Sequence, residues 1–200
     1  MTVVDRQQLQ ELRRLTGAGM LDCRNALADT AGDLNAAAEQ LRVRLGVKAD
    51  KLAVRDTAHG LVEAYIHADR QTGVLVEIGC NTDFVARSAE LRVFAHDVAL
   101  HIAASPMTQA VDDEGVAAGA IDAERRIADE QFAAKPLPVR ERIVAGKVDA
   151  FLREVVLLRQ KHVNDAKYDG KTIEQLRAQL AGQTGENIVI RRFTRFVVGG

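Results

Sequence analysis

Three short stretches carry side chains suited to catalysis or ligand binding. The first, residues 165–172, reads DAKYDGKT and ends in Gly-Lys-Thr, as a phosphate-binding loop does. A complete loop needs a glycine five residues before Gly170, where Asp165 stands, and a hydrophobic strand before it, where this chain is polar. We therefore interpret the stretch as a surface turn that leads into a helix capped by Thr172.

A nucleophilic cysteine is the second candidate. Cys80 would need a base, and His67 or His101 is the residue to consider. However, Cys80 alternates with apolar residues of a predicted strand, and buried thiols are usually inert. The sequence favours a small packed side chain at this position rather than a nucleophile.

Paired carboxylates and metal ligands are not evident elsewhere. The acidic residues Glu11, Glu39 and Glu63 form no pair that the sequence places in a cleft. The two cysteines form no CxxC, and the five histidines do not fall at metal-ligand spacing. We expect polar faces to hold His67, His96 and His101. The sequence therefore predicts no catalytic residue, no metal and no cofactor.

The third stretch is NTDFVAR, residues 81–87, between an apolar run and a long amphipathic one. Thr82 or Asp83 suits the cap of a helix at this corner. Two interpretations of Phe84 remain open. Composition favours a ring that packs beneath the turn, whereas an aromatic presented on a rigid corner is a common binding anchor. In the second case the neighbouring acid competes with polar or metal-linked contacts inside a partner.

The N-terminal residues predict three short helices. Asp5 can cap the first, and Gly17 and Gly19 break it. Asp33 can cap the third, and Gly46 fits its C′ position. Three helices of this length make a very small core, which is typical of a docking unit. We predict a partner-docking module at 1–46, a linker that is itself helical at 47–58, and an α+β core at 59–200.

The hydrophobic period changes after residue 58. Alternation over 61–68 and again over 74–80 predicts a β-hairpin. Residues 89–105 follow a helical pattern that Pro106 ends. Loop-like sequence at 107–121 precedes predicted helices at 122–134, at about 138–158 and after Thr172. The chain closes on a strand.

The closing strand is apolar on both faces. A three-stranded sheet cannot easily cover both of its faces within one chain, whereas a second copy could cover the open one. The sequence therefore predicts a homodimer formed through the core sheet. The residues concerned are Ile188, Ile190, Phe196 and Val198 on one face, and Val189, Phe193 and Val197 on the other.

Composition limits the class of protein. The 27 basic and 28 acidic residues leave a net charge of −1, which argues against direct nucleic-acid binding. No apolar stretch approaches the roughly 20 residues of a membrane span, and no signal-peptide pattern opens the chain. The cysteine usage fits a reduced cytoplasmic compartment.

Two motifs together resemble a known family. TDFVAR at 82–87 and LRRLTGAGMLDCRNAL at 12–27 occur in order, about 60 residues apart, and are similar to bacterial translation elongation factor Ts. GENIVIRRFTRF at 185–196 resembles the closing strand of that family. The resemblance extends over the whole chain, in the short form with one core subdomain. It is looser between about 105 and 182, and LLRQKHV at 157–163 lacks the Gln-Pro-Phe that many members carry.

The resemblance implies a fold and an activity. The implied fold is α+β: an N-terminal three-helix module like a ubiquitin-associated domain, then a core with a three-stranded antiparallel sheet and packed helices. The implied partner is elongation factor Tu, from which the factor promotes GDP release, and short-form members are implied to be homodimers. Such a protein is not an enzyme and needs no cofactor.

The resemblance also implies contact residues. Asp83 and Phe84 are implied to reach the Mg²⁺ and phosphate region of the partner GTPase, within the contact segment Thr82, Asp83, Phe84, Val85, Ala86 and Arg87. The module is implied to add Arg13, Met20 and Leu21. From the residues alone, Leu21 also fits the module core and Arg13 a solvated helix face. Two rival functions are a purely helical adaptor and a nucleotide-binding enzyme built on Gly170-Lys171-Thr172.

Overall fold

A computed structural model describes residues 5–199 of the chain. Helices come first, and a three-stranded sheet with packed helices follows, so the fold is α+β as predicted. The sheet is antiparallel, with β2 between β1 and β3. The elements are α1 (Arg6–Thr16), α2 (Met20–Asp29), α3 (Leu34–Leu52), β1 (His59–Ile66), β2 (Thr72–Cys80), α4 (Asp83–Ala86), α5 (Ala89–Ala104), α6 (Ala118–Gln131), α7 (Leu137–Val155), α8 (Asp165–Tyr168), α9 (Ile173–Thr184) and β3 (Val189–Val197).

The first three helices begin and end where turn chemistry allows. The Asp5 carboxylate accepts a hydrogen bond from the Gln7 amide, and Asp33 accepts from two amides at the start of α3. Gly17 ends α1 at φ 65°, a left-handed conformation that glycine adopts without a steric cost. A shared apolar cluster holds the helices together: Leu12, Ala18, Cys23, Ala26, Leu27, Ala37, Leu41 and Leu45.

The predicted end of α3 is wrong. Gly46 is not a C′ residue, because the helix continues to Leu52 and therefore includes half of the predicted linker. The reason is that the buried stripe of the helix continues through Leu45, Ala49 and Leu52. A helical glycine costs about 1 kcal/mol relative to alanine, which burial on both sides of it outweighs.

The hairpin and the amphipathic helix are confirmed. Strands β1 and β2 are joined by a short turn, in which the His67 amide donates to the Thr72 carbonyl. Strand β2 buries one side, and α5 buries the predicted i, i+3, i+4 stripe because each period matches its element. The buried residues are Val74, Val76, Ile78 and Cys80 on β2, and Leu91, Phe94, Ala95, Val98, Ala99 and Ile102 on α5.

The chain between α5 and α9 contains more structure than predicted. Helix α6 begins at Ala118, inside the stretch expected to be a loop, and α7 ends at Val155. The loop before α6 is fixed by backbone bonds, since the Gln109 and Ala110 amides both donate to the Val155 carbonyl. A 3-10 turn at Leu157–Arg159 and the one-turn helix α8 follow.

The described chain forms two compact units. One comprises the residues up to Glu63 together with Glu77–Ala95 and Gln175–Ile190. The other comprises Ala64–Val76, His96–Glu174 and the chain from Arg191 onward. The division into 1–46, 47–58 and 59–200 stays a prediction.

Candidate functional site

The corner at residues 81–87 is a single capped turn. Strand β2 ends at Cys80, and α4 follows after two residues. Thr82 is the N-cap: its hydroxyl oxygen accepts from the Val85 amide at 3.3 Å, and its carbonyl accepts from the Ala86 amide at 3.1 Å. The predicted cap is therefore present, and it fixes the backbone that carries Phe84.

The ring of Phe84 points away from the chain. Its exposed fraction is 81%, whereas Val85, the next residue of the same turn, is only 5% exposed. Successive residues of a helix point about 100° apart, so one turn can bury one side chain and present the next. The interpretation that Phe84 packs beneath the turn is wrong. Val85 occupies the inner position and anchors the turn.

The charged residues of the corner face water. Asp83 and Arg87 form an i, i+4 ion pair at 3.2 Å, and both side chains are largely exposed. Such a pair contributes little to stability, because water screens it. The ion pair is therefore not what holds the corner in place. Ala86 is half-buried, and Thr82 is exposed beside its cap bond.

A carboxylate from the far end of the sequence supports the corner. Glu186 accepts the Asn81 amide at 3.0 Å and the Thr82 amide at 3.1 Å through Oε2. Its Oε1 accepts the Thr82 hydroxyl at 2.6 Å. The sequence alone does not point to this residue. Its only local sign is an acid directly after Gly185, and no periodicity connects it to a turn about one hundred residues earlier.

Two asparagines extend the same support. The Asn187 amide donates to Asn81 Oδ1 at 2.8 Å, and Asn81 Nδ2 donates to the Asp56 carbonyl. The buried Asn187 side chain donates to the carbonyls of Ala53 and Arg55, at 3.1 and 3.0 Å. The start of the corner, the segment after α9 and the segment after α3 are thus held together by hydrogen bonds.

The predicted contact residues of the N-terminal module are all at its surface. Arg13 is exposed, Met20 is 49% exposed and Leu21 is 62% exposed. Leu21 is therefore not part of the module core. Gly17, in the turn between them, lies so close to Gln183 of α9 that a Cβ would be 1.5 Å from its Nε2. The turn of the N-terminal module therefore packs on α9, the helix that precedes Glu186.

The alternative chemistries do not fit the geometry. Gly170-Lys171-Thr172 follows the one-turn helix α8 rather than a strand, so it lacks the framework of a phosphate-binding loop. Cys80 is buried, and burial, followed by the charge of Glu186, raises the pKa of its thiol. A thiol with a raised pKa is a poor nucleophile at neutral pH.

One histidine prediction is wrong. His101 does not lie on a polar face but is 1% exposed, and its ring centroid is 5.4 Å from that of buried His162. His101 Nε2 is 2.8 Å from Gln160 Oε1, and its Nδ1 accepts the Val163 amide at 3.2 Å. An accepting Nδ1 means that this ring is neutral in the folded chain.

The second ring of this pair is bonded in the same way. His162 Nε2 lies 3.0 Å from the Asp97 carbonyl, and its Nδ1 accepts the Asn164 amide at 3.0 Å. Burial is the main cause that lowers the pKa of both imidazoles. Lys167 and Tyr168 both bond the Asp97 carboxylate beside His162, with Lys167 Nζ at 2.5 Å, and burial raises the pKa of Tyr168 to about 12.

Within residues 5–199, no cluster of histidine, cysteine or acidic side chains has the geometry to hold a metal ion. No helix in that range is long and apolar enough to cross a membrane.

Comparison with known proteins identifies the family. The family model described as elongation factor TS matches residues 7–169. The chain belongs to the elongation factor Ts family. It is 40% identical to elongation factor Ts of Rippkaea orientalis over 201 residues, covering all of this chain and 80% of that protein. It is 42% identical to that of a Cyanothece species, covering all of this chain and 75% of the relative. The protein from Herpetosiphon aurantiacus is 40% identical, with 98% of each chain covered.

Membership of the elongation factor Ts family places this chain among translation elongation factors. The motifs that pointed to the family, at 12–27 and 82–87, cover the first two helices with the turn between them, and the corner. Both fall in the first of the two compact units.

Proposed function

We propose that this chain is a guanine-nucleotide exchange factor that binds elongation factor Tu and promotes GDP release. The observation that carries the proposal is the 81% exposed ring of Phe84 on a capped turn whose own core residue, Val85, is buried. An exposed aromatic on a rigid support is costly to leave in water and is typical of a binding anchor. Membership of the elongation factor Ts family supplies the class of partner.

The mechanism is a change in the conformation of the partner rather than a chemical reaction. Elongation factor Tu holds GDP through phosphate contacts and a Mg²⁺ ion, and Mg²⁺ requires near-ideal octahedral coordination. Phe84 enters the partner close to that site and favours a conformation in which the metal and phosphate contacts are poor. Asp83 brings a negative charge that competes for polar groups there. No bond is made or broken, so the chain acts as a binding protein and not as an enzyme.

Thermodynamic linkage completes the cycle. The factor by which the bound chain lowers the affinity of elongation factor Tu for nucleotide equals the factor by which bound nucleotide lowers its affinity for the chain. Incoming GTP therefore displaces the chain from elongation factor Tu. The chain needs no cofactor of its own in this scheme.

The N-terminal module provides a second contact. Met20 and Leu21 present exposed apolar surface beside the turn at Gly17, and Arg13 adds a charge on the preceding helix. Flexible methionine and leucine side chains adapt to a partner surface. We assign these three residues to the GTPase domain of elongation factor Tu and regard the three helices as a ubiquitin-associated-like docking module.

The open face of the sheet supports a homodimer. Ile66, Phe196 and Val198 are 65%, 69% and 73% exposed, and Leu75 is exposed beside them. These four residues line one cavity of about 430 Å³. The Ile66 side chain lies against Gly73, where a Cβ would be 3.0 Å from Ile66 Cδ1. An exposed apolar sheet face of this kind is typical of an interface with a second copy of the chain.

Sedimentation velocity tests the dimer with one variant. Phe196→Asp places a charge in the open face without altering a buried residue, and we expect it to sediment as a monomer at concentrations at which the unaltered chain is a dimer. Val54→Asp, at another exposed apolar position, is the matched control and should remain a dimer. A monomeric unaltered chain contradicts the dimer.

The exchange activity is tested by release of a fluorescent GDP analogue from elongation factor Tu. We expect the chain to accelerate release and to bind no nucleotide by itself in a direct titration. Tight unaided binding of ATP or GTP would favour the enzyme built on residues 170–172. Leu21→Asp separates the exchange factor from a helical adaptor, because it should weaken binding but leave the maximal release rate intact.

These contacts require neither nucleic acid nor a membrane. The nearly neutral charge of the chain gives no electrostatic support for a direct nucleic-acid contact. Translation elongation takes place in the cytoplasm, and we assign the chain to that compartment.

A further inference from the structure

Glu186 stands at a position that does not favour an acid by itself. Helix α9 ends at Thr184, and Gly185 adopts φ 72° with its amide bonded to the Ala181 carbonyl at 2.9 Å. Glu186 comes next, beyond the carboxyl end of the helix, where the aligned peptide dipoles favour cations. The half-buried carboxylate is therefore stabilised by donors from elsewhere.

Three donors supply that stabilisation, and all belong to the corner. Two consecutive amides, of Asn81 and Thr82, converge on Oε2 at 3.0 and 3.1 Å. The Thr82 hydroxyl donates to Oε1 at 2.6 Å. Consecutive amides that converge in this way form an anion-binding concavity, which an ionised carboxylate fills. Glu186 is the anion that occupies it.

The direction of the Thr82 proton links this contact to Phe84. Because the hydroxyl proton points to Glu186, an oxygen lone pair remains free to accept the Val85 amide at 3.3 Å. The carboxylate thus sets the orientation of the cap, and the cap fixes the turn that carries Phe84. Among side chains, only a carboxylate offers two oxygens that both accept hydrogen bonds. A glutamine amide would turn its own N–H groups toward one set of donors.

We infer that Glu186 is a positioning residue for nucleotide exchange. It holds the corner in one conformation, so that Phe84 enters the partner already oriented and little conformational freedom is lost on binding. Glu186 itself touches no nucleotide and no reacting atom. The inference rests on the proposed exchange function and names a residue on which the action of Phe84 depends.

The test measures release of a fluorescent GDP analogue from elongation factor Tu by stopped flow, over a range of concentrations of the full-length chain. The fit gives a maximal release rate and a half-saturating concentration. We expect Glu186→Ala to lower the maximal rate about tenfold, the size expected for one lost hydrogen bond to a charged group. Glu186→Gln, which keeps one acceptor, should be intermediate. Glu154→Ala removes an exposed carboxylate on α7 and should behave as the unaltered chain.

A double-mutant cycle separates positioning from a general structural role. Because Glu186 acts through Phe84, adding Glu186→Ala to Phe84→Ala should reduce the maximal rate no further. Hydrogen exchange supplies a local readout. The amides of Asn81 and Thr82 should exchange faster in both Glu186 variants, while amides within α5 keep their protection. Slower release with unchanged protection at residues 81 and 82 would overturn the inference.

The outcomes for the two proposals are distinguishable. If Phe84→Ala slows release and Glu186→Ala does not, the positioning role is wrong and the exchange function stands. If Phe84→Ala leaves release unchanged, the corner has no part in exchange, and the proposed function fails at its central residue. If Glu186→Ala slows release by the same factor in the unaltered chain and in Phe84→Ala, Glu186 acts independently of the corner and the inference is wrong.

Discussion

Phe84 and Val85 are consecutive residues of one helical turn, and the first is 81% exposed while the second is 5% exposed. This relationship predicts opposite effects of substitution. Phe84→Ala should change the free energy of unfolding by no more than about 0.5 kcal/mol, as for a surface site. Val85→Ala removes buried methyl groups and should cost about 1.5–2.5 kcal/mol. Urea denaturation, followed by circular dichroism, measures both values.

One outcome for Phe84→Ala would contradict the exposed position of its ring. A loss of several kcal/mol in Phe84→Ala would place the ring in the core of the folded chain in solution. It would also remove the basis for assigning that ring to a partner.

Two glycines provide a second matched pair. Gly17 has φ 65°, whereas Gly46 lies within α3, where an added Cβ would meet no neighbouring atom within 4 Å. Gly17→Ala places a side chain in a left-handed conformation and should destabilise the chain by about 1 kcal/mol or more. Gly46→Ala should stabilise it by about 0.5–1 kcal/mol, because alanine is the better helix residue. Thermal unfolding distinguishes the two, and stabilisation by Gly17→Ala would be inconsistent with the module turn described above.

The buried imidazoles His101 and His162 predict a pH dependence of stability. Burial lowers the pKa of both in the folded chain, so below about pH 6.5 the unfolded chain binds more protons than the folded one. Stability should therefore be constant above that pH and fall as the pH decreases toward the lowered pKa values. Each histidine contributes at most about 1.4 kcal/mol per pH unit in that range. Urea unfolding at a series of pH values measures the slope.

Substitution identifies the residues responsible for this slope. His162→Gln retains one donor and one acceptor but does not titrate, so the slope should become smaller. His67→Gln changes an exposed histidine and should keep the slope of the unaltered chain. Asp97 and Lys167 lie beside His162 with opposing effects on its pKa, and neither reverses the direction set by burial. A slope that both variants share would assign the acid sensitivity to other groups.

Local pattern was sufficient to predict much of this fold. The period of two over 74–80 and the helical period over 89–105 each describe one element packed on one side, and both elements form as expected. Gly46 shows the limit of local reasoning, because glycine is preferred just after the end of a helix, whereas the burial of Ala49 and Leu52 beyond it extends α3. Tertiary packing outweighs a propensity of about 1 kcal/mol.

The site was predictable only in part. The motif at 82–87 identified the corner, but composition pointed to a buried ring, and only the fold shows that Val85 takes the inner position. Glu186 was not predictable, because its partners lie about one hundred residues away and no repeat links them. The burial of His101 was missed for a similar reason, since its partner Gln160 comes from a distant turn.

The maximal rate of GDP release from elongation factor Tu, compared between the unaltered chain and Phe84→Ala, tests the central claim most directly. We predict that the variant folds normally and still binds elongation factor Tu through its N-terminal module. Its maximal release rate should be lower by about tenfold or more, the size expected when a binding hot spot is truncated. Release at the rate of the unaltered chain, with binding intact, would contradict the account.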